Sequence, residues 1–470
     1  MRPQVEPLPL AQTRHRWYRA VFALVALSEL FGTVAQGEIW RTGYYPAWEQ
    51  SSMPASNIDF TTLTHIIHFS ATPNSNGTLN TSANGLTAVF SADLIARAHA
   101  AGRKVLICVG GGGTQAGFQG AASNANRAAF INNIINLMSS RGYDGVDVDW
   151  EPVPTSDATS FTNLIYDLRA ALSTFPQPKL LTVAAAAYPP YGDSASAQYE
   201  MYAALQGQFD QINIMTYDMS GPWDGWVTWF NSPIYDGGFY FPGSSRLLPS
   251  IHGALNNYIN NGVAAGKLGI GIAFYGYAWT GASGAPTIGM VAPRQAWTVA
   301  PTMTAYRYRT IMDTYYQSNR YHWDASAQSA YLSITNANPT NNIFLSYDDA
   351  RTCQAKVSYA RNRGLGGVMI WEIAQDHSGN QTGPLMQAIQ QAMATPGLID
   401  LKTSNANLDL LFKGIALGSY RIQWTSNLNS EVWNTLAITN VSDAGGIFRV
   451  TDVGVLTNQP YRFYRVQTPP

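Results

Sequence analysis

The sequence predicts an α/β fold, a closed (β/α)8 TIM barrel, on three observations. Short apolar runs alternate with segments whose apolar residues recur at helical spacing, such as residues 125–140 and 158–173. Repeated β-then-α units predict parallel strands, because each crossover must carry the chain back across the sheet. Counting the strand around Tyr44 gives eight strands, the number that closes such a barrel. The other apolar runs are 65–70, 104–109, 145–150, 179–187, 211–216, 267–274 and 366–371.

The N-terminal segment has the pattern of an export signal. Arginines at positions 14, 16 and 19 precede the apolar run 20–27, and small residues lead up to Ala35. The run is short and Glu29 follows it closely, so a membrane-spanning helix is not predicted. We expect a signal peptide over residues 1–35, cleavage after Ala35 and secretion of the mature chain.

Glycines follow the third predicted strand, and an open doubly wound sheet that binds a nucleotide is the alternative they suggest. Gly110–Gly113 are followed by Thr114, with no Gly-Lys-Ser/Thr sequence for a phosphate and no acid placed for a ribose. The open sheet is therefore the weaker alternative, and no nucleotide cofactor is expected.

The fourth predicted strand carries an unusual density of acids, in the run Asp144-Gly-Val-Asp147-Val-Asp149-Trp-Glu151. Side chains on a strand alternate between faces, so Asp147, Asp149 and Glu151 share one face, with Cα atoms about 6.7 Å apart at each step. Asp144 falls on the opposite face and is interpreted as structural. Buried acids this close must share protons and hydrogen bonds. We expect a shared proton between Asp147 and Asp149, and a protonated Glu151 that acts as a general acid.

A solvated acidic turn or a calcium loop is the alternative interpretation of these acids. A calcium loop needs oxygen ligands at other spacings and a glycine at its turn, which this run lacks. No metal site is expected here.

The pattern D-x-x-D-x-D-x-E resembles that of family 18 glycoside hydrolases, the chitinase family, and the resemblance extends from about Gly43 to Ala374. Any one of the matching segments alone is a weak signal, whereas their order and spacing together are specific. The segments are Gly43–Trp48, His65–Ser70, Lys104–Gly111, Met215–Asp218, Gly221–Gly225, Gly271–Gly276 and Gly366–Glu372.

The resemblance implies endo-acting hydrolysis of β-1,4-N-acetylglucosamine linkages in chitin and chitooligosaccharides, by a retaining mechanism in which the substrate's acetamido group takes part. It implies no cofactor. The residues implied to be catalytic are Glu151, Asp149, Asp147 and Tyr217. Those implied to bind substrate are Asp218, Trp371, Met215, Tyr44, Trp223 and Gly111.

The chain departs from the family pattern at two positions near these residues. Cys108 stands where the third strand often has serine, and a thiol is a weaker hydrogen-bond partner for Asp147. Tyr277 stands where the seventh strand often continues Tyr-Gly-Arg, which puts one polar contact toward the insertion in doubt.

About 90 residues, 275–365, separate the seventh and eighth predicted strands, more than a helix and its loops need. The resemblance implies a small α+β insertion over about 280–345 that forms one wall of a cleft. A long loop with no role in binding is the alternative. The catalytic barrel is expected to occupy residues 36–395.

The sequence changes character after Thr395. Five short strand-like runs, separated by Gly, Asn, Ser and Asp turns, predict a small all-β module over residues 396–470. Trp424 and Trp433 are interpreted either as a sugar-stacking surface or, more simply, as core. The runs are 408–413, 419–424, 433–438, 447–452 and 461–466.

Composition favours a neutral ligand. Charged residues make up 12% of the chain, about half the usual ~25%, whereas it has 26 Tyr and 13 Trp, and the formal net charge is −1. Neither nucleic acid nor a membrane is an expected partner, and we expect a monomer that binds chitin or chitooligosaccharides. The two cysteines, Cys108 and Cys353, predict neither a disulfide framework nor a metal site.

Three other functions use the same barrel: an endo-β-N-acetylglucosaminidase that cuts N-glycans, a non-catalytic lectin, and a storage or inhibitor protein. The segment Phe230–Tyr235 resembles chitinases better than glycan-cleaving relatives. Such lectin and storage relatives usually lose the acid, and this chain keeps both Glu151 and Asp149. Chitin hydrolysis is therefore the favoured function.

Overall fold

The computed structural model describes residues 39–467 except 190–194, 282–288, 378–382, 394–396, 405, 415–418, 428–431, 442–446 and 456–461. The chain divides into two compact units, with Ile39–Met393 forming one and the residues from Ala394 onward belonging to the other. The predicted signal peptide, residues 1–35, and its cleavage site lie outside the described residues. None of the described helices is both long and apolar enough to cross a membrane.

The first unit is a closed barrel of eight parallel strands, so the predicted fold class is confirmed. Strand β1 pairs with β2 on one side and with β8 on the other, which closes the sheet. The open doubly wound alternative is therefore wrong. The strands are β1 Trp40–Pro46, β2 His65–Pro73, β3 Lys104–Gly110, β4 Gly145–Asp149, β5 Leu180–Ala186, β6 Gln211–Met215, β7 Leu268–Ala273 and β8 Gly367–Trp371. A two-residue strand, Leu79–Asn80, pairs antiparallel with the end of β2.

The helices around the barrel bury one apolar face each. In the helix Ala158–Leu172, five apolar side chains between Phe161 and Leu172 are buried at helical spacing. The helix Arg127–Arg141 ends at Gly142, whose positive φ of 82° suits glycine. The other helices longer than one turn are Ala88–Ala100, Gln115–Ala121, Ala195–Leu205, Ile251–Asn260, Ala350–Asn362 and Pro384–Met393.

An inserted sheet lies between β7 and β8 in the chain. Its five antiparallel strands begin at Tyr275, so the insertion starts before the expected residue 280, because Tyr275–Thr280 pairs with inserted strands and not with the barrel. The remaining strands are Thr302–Arg307, Tyr321–Asp324, Ser329–Ile334 and Ile343–Tyr347, and a short helical segment spans Tyr308–Tyr315. Trp279 and Phe344 of this sheet pack in one apolar cluster with Trp229 of the loop after β6, and all three side chains are fully buried.

A buried ion pair joins the end of the insertion to the barrel. The Lys356 ammonium contacts the Asp348 carboxylate and donates to Ser232 Oγ at 2.5 Å. The backbone N–H of Ala273, the last residue of β7, donates to Asp348 Oδ2 at 3.1 Å. Burial raises the pKa of Asp348, and Lys356 opposes that shift. Four chain segments therefore meet at one satisfied charge pair.

The second unit contains two three-stranded antiparallel sheets. Its core includes Leu410, Tyr420 and Ile422, all fully buried. The strand Gly397–Ser404 is not among the five predicted runs, and a bulge after Leu398 interrupts its pairing with the next strand. The other strands are Asn407–Lys413, Ser419–Thr425, Asn434–Asn440, Ile447–Asp452 and Phe463–Gln467.

Both tryptophans of this unit are covered on one face by an arginine. The guanidinium carbon of Arg462 lies 3.8 Å from the ring centroid of Trp424, and that of Arg465 lies 4.3 Å from the ring of Trp433. Arg462 is held in turn by both carboxylate oxygens of Asp452. These ring faces are therefore occupied by cations and are not open to a sugar.

We predict that Lys356→Met destabilises the protein by about 3–5 kcal/mol, because Asp348 is left buried without its counter-charge. The double variant Lys356→Met/Asp348→Asn removes both charges and should recover most of that loss. Urea unfolding followed by tryptophan fluorescence measures both values. A double variant no more stable than the single one would contradict this account of the pair.

Candidate active site

The three acids of the carboxylate row, Asp147, Asp149 and Glu151, lie at the C-terminal end of β4. Asp147 and Asp149 are the buried end of the strand, and Glu151 follows two residues later, half-buried. Asp147 pairs in register with Cys108 on β3 and Thr182 on β5. The active sites of barrels of this kind lie at this end of the strands, because the loops that follow them form a shared surface.

Asp147 is held by hydrogen bonds from three other strands. Tyr44 of β1 donates to Oδ2 at 2.9 Å, and Thr182 donates to Oδ1 at 2.5 Å. The thiol of Cys108 also donates to it. Burial raises the pKa of Asp147 to about 6, and these three hydrogen bonds limit the rise. Tyr44 is 1% exposed, so its hydroxyl faces Asp147 from within the barrel.

Asp149 is buried with fewer hydrogen bonds from the described residues than Asp147 has. Its Oδ1 is buried and has no hydrogen-bond partner among the described residues. Burial raises its pKa well above the usual range, and the nearby charges of Glu151 and then Asp147 raise it further. A protonated or ligand-bound Asp149 is therefore more stable here than a bare carboxylate.

Gly110 and Gly111, at the end of β3, let the backbone pack closely against the backbone of Asp149. At Gly110, where φ is +120°, a Cβ would lie 2.1 Å from the carbonyl oxygen of Asp149. Gly111 donates its backbone N–H to that same oxygen at 2.8 Å, and a Cβ there would lie 2.4 Å from the ring of Phe69. Gly111 thus contributes close backbone packing at the site.

Glu151 lies where its carboxyl keeps its proton to a higher pH than an exposed glutamate does. Burial raises the pKa of its carboxyl, the Asp218 carboxylate raises it further, and a hydrogen bond from the backbone of Gly112 lowers it. A raised pKa and partial exposure at the strand end are the properties that a general acid needs.

Tyr217 and Asp218 follow β6 and reach the same site. Burial and the negative charges of Glu151 and Asp149 raise the pKa of Tyr217 well above its usual value, so its hydroxyl stays a donor. That hydroxyl lies 3.7 Å from the sulfur of Met369. Asp218 has a left-handed backbone, with φ of 55°, and its Oδ1 accepts from two tyrosines of the inserted sheet.

A series of aromatic side chains leads from the surface to the barrel. Trp48, 45% exposed, meets Phe69 edge to face at 5.5 Å. Phe69 meets the half-buried Trp371 at 4.8 Å, and Trp371 meets Tyr44 at 5.6 Å. Such ring faces suit the apolar faces of sugars, and Tyr44, which Trp371 contacts, donates in turn to Asp147.

Met215 and Trp223, both predicted to bind substrate, lie in different surroundings, one inside the barrel and one at the surface. Met215 is half-buried and packs against the apolar cluster inside the barrel, which contains Tyr217. Trp223, 51% exposed, packs edge to face on Trp226 at 4.6 Å in the loop that follows β6. Trp223 therefore lies on an open surface and contacts the loop's own aromatic side chains.

A cleft of about 330 Å³ opens beside Asp218 and Trp371. The inserted sheet supplies much of its lining through Tyr275, Tyr277 and residues 305–307. Arg307 also forms an ion pair with the buried Glu49, which connects the insertion to the loop after β1. The insertion is thus a wall of this cleft.

Sequence reasoning did not identify several residues of the site. Thr182 and Phe69 lie in strands, where only the strand register and the period-two pattern point inward. Tyr275 lies within the segment Gly271–Gly276 that carries the family resemblance, but no role was inferred for it. The Arg307–Glu49 pair joins residues 258 positions apart, and no local signal predicts it.

The described residues include no group of three or more His, Cys, Asp or Glu side chains arranged to hold a metal ion.

Comparison with known proteins gives a family and several relatives. The family model for glycosyl hydrolases family 18 matches residues 41–376. Chitinase A1 of Niallia circulans is 28% identical over a match that covers 77% of this chain and 53% of that protein. A class V chitinase of Arabidopsis thaliana is also 28% identical, over 80% of this chain and 94% of its own length. The crystal structure of chitinase ChiW from Paenibacillus sp. superposes with a TM-score of 0.62 at 26% identity, covering 76% of this chain and 33% of that one. The chain thus spans about half of the first relative and a third of the ChiW chain.

We predict that Asp147→Asn changes how stability depends on pH. The pKa of Asp147 is raised from 3.8 to about 6, so the stability that this group contributes is present below pH 4 and is lost as the pH rises through 6. Asparagine does not titrate. The unfolding free energy of the variant, relative to the unmodified protein, should therefore rise by up to about 3 kcal/mol between pH 4 and pH 7.

Urea unfolding at each pH measures this difference, and Asp224→Asn, at an exposed position, is the matched control. A difference that stays constant across this range for Asp147→Asn would show that its carboxyl does not titrate as described.

Proposed function

The chain belongs to glycosyl hydrolases family 18 and is a glycoside hydrolase, and from that premise we propose that it hydrolyses β-1,4-linked N-acetylglucosamine within chitin and chitooligosaccharides. The observation that carries this proposal is the carboxylate row, in which the buried Asp149 has an oxygen with no partner among the described residues and lies beside the partly exposed Glu151. Such a pair suits a substrate that brings its own hydrogen-bond donor, and an acetamido N–H is such a donor.

The proposed reaction has two steps. Glu151 gives its proton to the glycosidic oxygen as the bond from that oxygen to the anomeric carbon breaks. The substrate's acetamido carbonyl oxygen bonds to the anomeric carbon, and an oxazolinium ion forms. Glu151, now a carboxylate, takes a proton from water while the water oxygen attacks the same carbon, and the acetamido group is released. Two inversions give net retention, without the enzyme nucleophile of ordinary retaining glycosidases.

The other acids serve the acetamido group. Asp149 accepts a hydrogen bond from the acetamido N–H and stabilises the positive charge of the oxazolinium ion. Asp147 exchanges a proton with Asp149, because burial makes two full negative charges in this space costly. Tyr217 donates its hydroxyl to the acetamido oxygen.

The remaining predicted residues bind the chain around the cleaved linkage. Trp371 forms the floor under the reacting sugar, and Asp218 accepts a hydrogen bond from a neighbouring hydroxyl. Trp223 is an exposed platform for a more distant sugar, and Tyr44, Met215 and Gly111 shape the base of the site. A cleft walled by the insertion suits an endo-acting enzyme.

The domain organisation is proposed alongside the activity. Residues 36–395 act as the catalytic unit of an exported, monomeric enzyme after removal of residues 1–35. Residues 396–470 form a separate module.

We predict that Glu151→Gln lowers kcat on chitohexaose by about 10²–10⁴-fold, because the amide cannot donate the proton to the leaving group. Oligosaccharide binding should survive, since the side chain keeps its size.

Asp149→Asn should also lower kcat by about 100-fold or more, because the acetamido N–H loses a charged acceptor. Steady-state kinetics and calorimetric titration with chitohexaose measure both effects. Normal turnover by Asp149→Asn would contradict the participation of the acetamido group.

The assignment itself is tested by incubating the enzyme separately with chitohexaose and with a high-mannose glycopeptide, and identifying the products by mass spectrometry. Short chitooligosaccharides and an intact glycopeptide are expected, and Glu151→Gln serves as the inactive control. Glycan release without chitohexaose cleavage would instead indicate an endo-β-N-acetylglucosaminidase. Binding without cleavage would indicate a lectin.

A further inference from the structure

We propose that Tyr277 is a positioning residue of the active site, whose hydroxyl, fixed by the inserted sheet, holds Asp218 in place beside Glu151. This inference rests on the proposed function and deepens it, because it gives the insertion a part in the reaction as well as in the cleft wall. It also assigns a contact to a position where the chain departs from the family pattern.

Asp218 is fixed from several directions. Tyr275 donates to its Oδ1 at 2.6 Å, and Tyr277 donates to the same oxygen at 2.9 Å. Its backbone N–H donates to Asn231 Oδ1 at 2.8 Å. Its backbone is left-handed, with φ of 55°, so its side chain leaves the chain in a different direction from that of a residue in a strand. Because both tyrosines bind one oxygen, the other carboxylate oxygen is left for the cleft.

The inserted sheet fixes Tyr277 itself. On one side Tyr277 pairs in register with Ala305, and on the other side with Ser346. The Ser346 hydroxyl accepts the backbone N–H of Asn231 at 2.8 Å, so the same sheet also supports the residue that holds the Asp218 backbone. A strand paired on both edges gives Tyr277 little freedom to move relative to Asp218.

The charged and titratable groups near Asp218 determine what a neutral donor, the Tyr277 hydroxyl, does there. Glu151, after the end of β4, interacts with the Asp218 charge, and the charges of Asp149 and Asp147 act on Tyr217, which precedes Asp218 in the chain. Tyr275 and Tyr277 approach from the insertion. Arg307, on the neighbouring inserted strand, lines the same cleft but is paired with Glu49.

Asp218 and Glu151 influence each other through their charges. Burial raises the pKa of Asp218, and the hydrogen bonds from Tyr275 and Tyr277 lower it. The Asp218 carboxylate in turn raises the pKa of Glu151. A tyrosine therefore favours the anionic form of Asp218 without adding a positive charge of its own, and this arrangement helps Glu151 to keep its proton.

Tyr277→Phe tests the proposal. We expect kcat on chitohexaose to fall roughly tenfold, because the charged acceptor loses one of two donors. The pKa of Asp218 should rise, because one of the hydrogen bonds that lower it is lost, and the pKa of Glu151 should fall as the negative charge of Asp218 is reduced. The basic limb of the kcat/KM profile should therefore move to lower pH. Tyr166→Phe, a hydroxyl deletion at an exposed helix position, is the control and should change neither quantity.

Two further variants separate positioning from other roles. In an Asp218→Asn background, Tyr277→Phe should lower kcat by no more than about twofold further, because its effect passes through Asp218. Tyr277→Gln keeps a donor and should recover part of the loss. If Tyr277→Phe does not fold, as circular dichroism and thermal unfolding would show, Tyr277→Gln replaces it in the test.

A Tyr277→Phe enzyme with an unchanged pH profile and only a raised KM would overturn the proposal in favour of a direct substrate contact. Full additivity with Asp218→Asn would overturn it too. If the unmodified protein cleaves neither chitohexaose nor a glycopeptide, the proposed function fails separately. The link between Tyr277 and Asp218 is then decided by a carboxyl titration followed by infrared difference spectroscopy, in which Tyr277→Phe must raise the Asp218 transition.

Discussion

The burial of Asp147 inside the barrel is the constraint on which the rest of this structure depends. A carboxyl group there is tolerated only when hydrogen bonds replace the water that it has lost. Tyr44, Thr182 and Cys108 supply those bonds from β1, β5 and β3. Since the donors come from three different strands, Asp147 is satisfied only when the barrel is closed in this register. The fold and the chemistry of the site therefore share one set of hydrogen bonds, and a change in strand register would disturb both.

The insertion depends on the barrel in a similar way. Its last strand ends beside Asp348, whose carboxylate accepts from the backbone N–H of Ala273 at the end of β7. The buried Lys356 joins that carboxylate to Ser232 in the loop after β6. Its first strand brings Tyr275 and Tyr277 to Asp218. The two contacts lie at the ends of the inserted sequence, where the sheet joins the barrel. The buried Asp348–Lys356 pair anchors the insertion, so Tyr275 and Tyr277 stay at fixed distances from Asp218. The charge of Asp218 in turn acts on Glu151.

Local pattern was enough to predict the barrel strands and the carboxylate row. Strands of a parallel barrel are buried on both faces, so they form continuous apolar runs whose limits can be identified in the sequence. The period of two then placed Asp147, Asp149 and Glu151 on one face. Thr182, Tyr275 and Arg307 could not be found in this way, because their partners are set by register and by packing over long sequence separations. The strand Gly397–Ser404 was missed because a bulge interrupts its alternation.

Asp149 explains how such a site would select an N-acetylated sugar. Its buried Oδ1 has no hydrogen-bond partner among the described residues, and an unmet buried acceptor costs about 1–3 kcal/mol. A substrate that supplies an N–H at this point recovers that free energy, whereas a sugar with a hydroxyl in place of the acetamido group lacks both the N–H and the carbonyl oxygen that attacks the anomeric carbon. Binding and reactivity then depend on the same substituent. In the proposed reaction one acetamido group both donates to Asp149 and supplies the carbonyl oxygen that forms the oxazolinium ion, whereas a hydroxyl at the same carbon can donate but has no such oxygen.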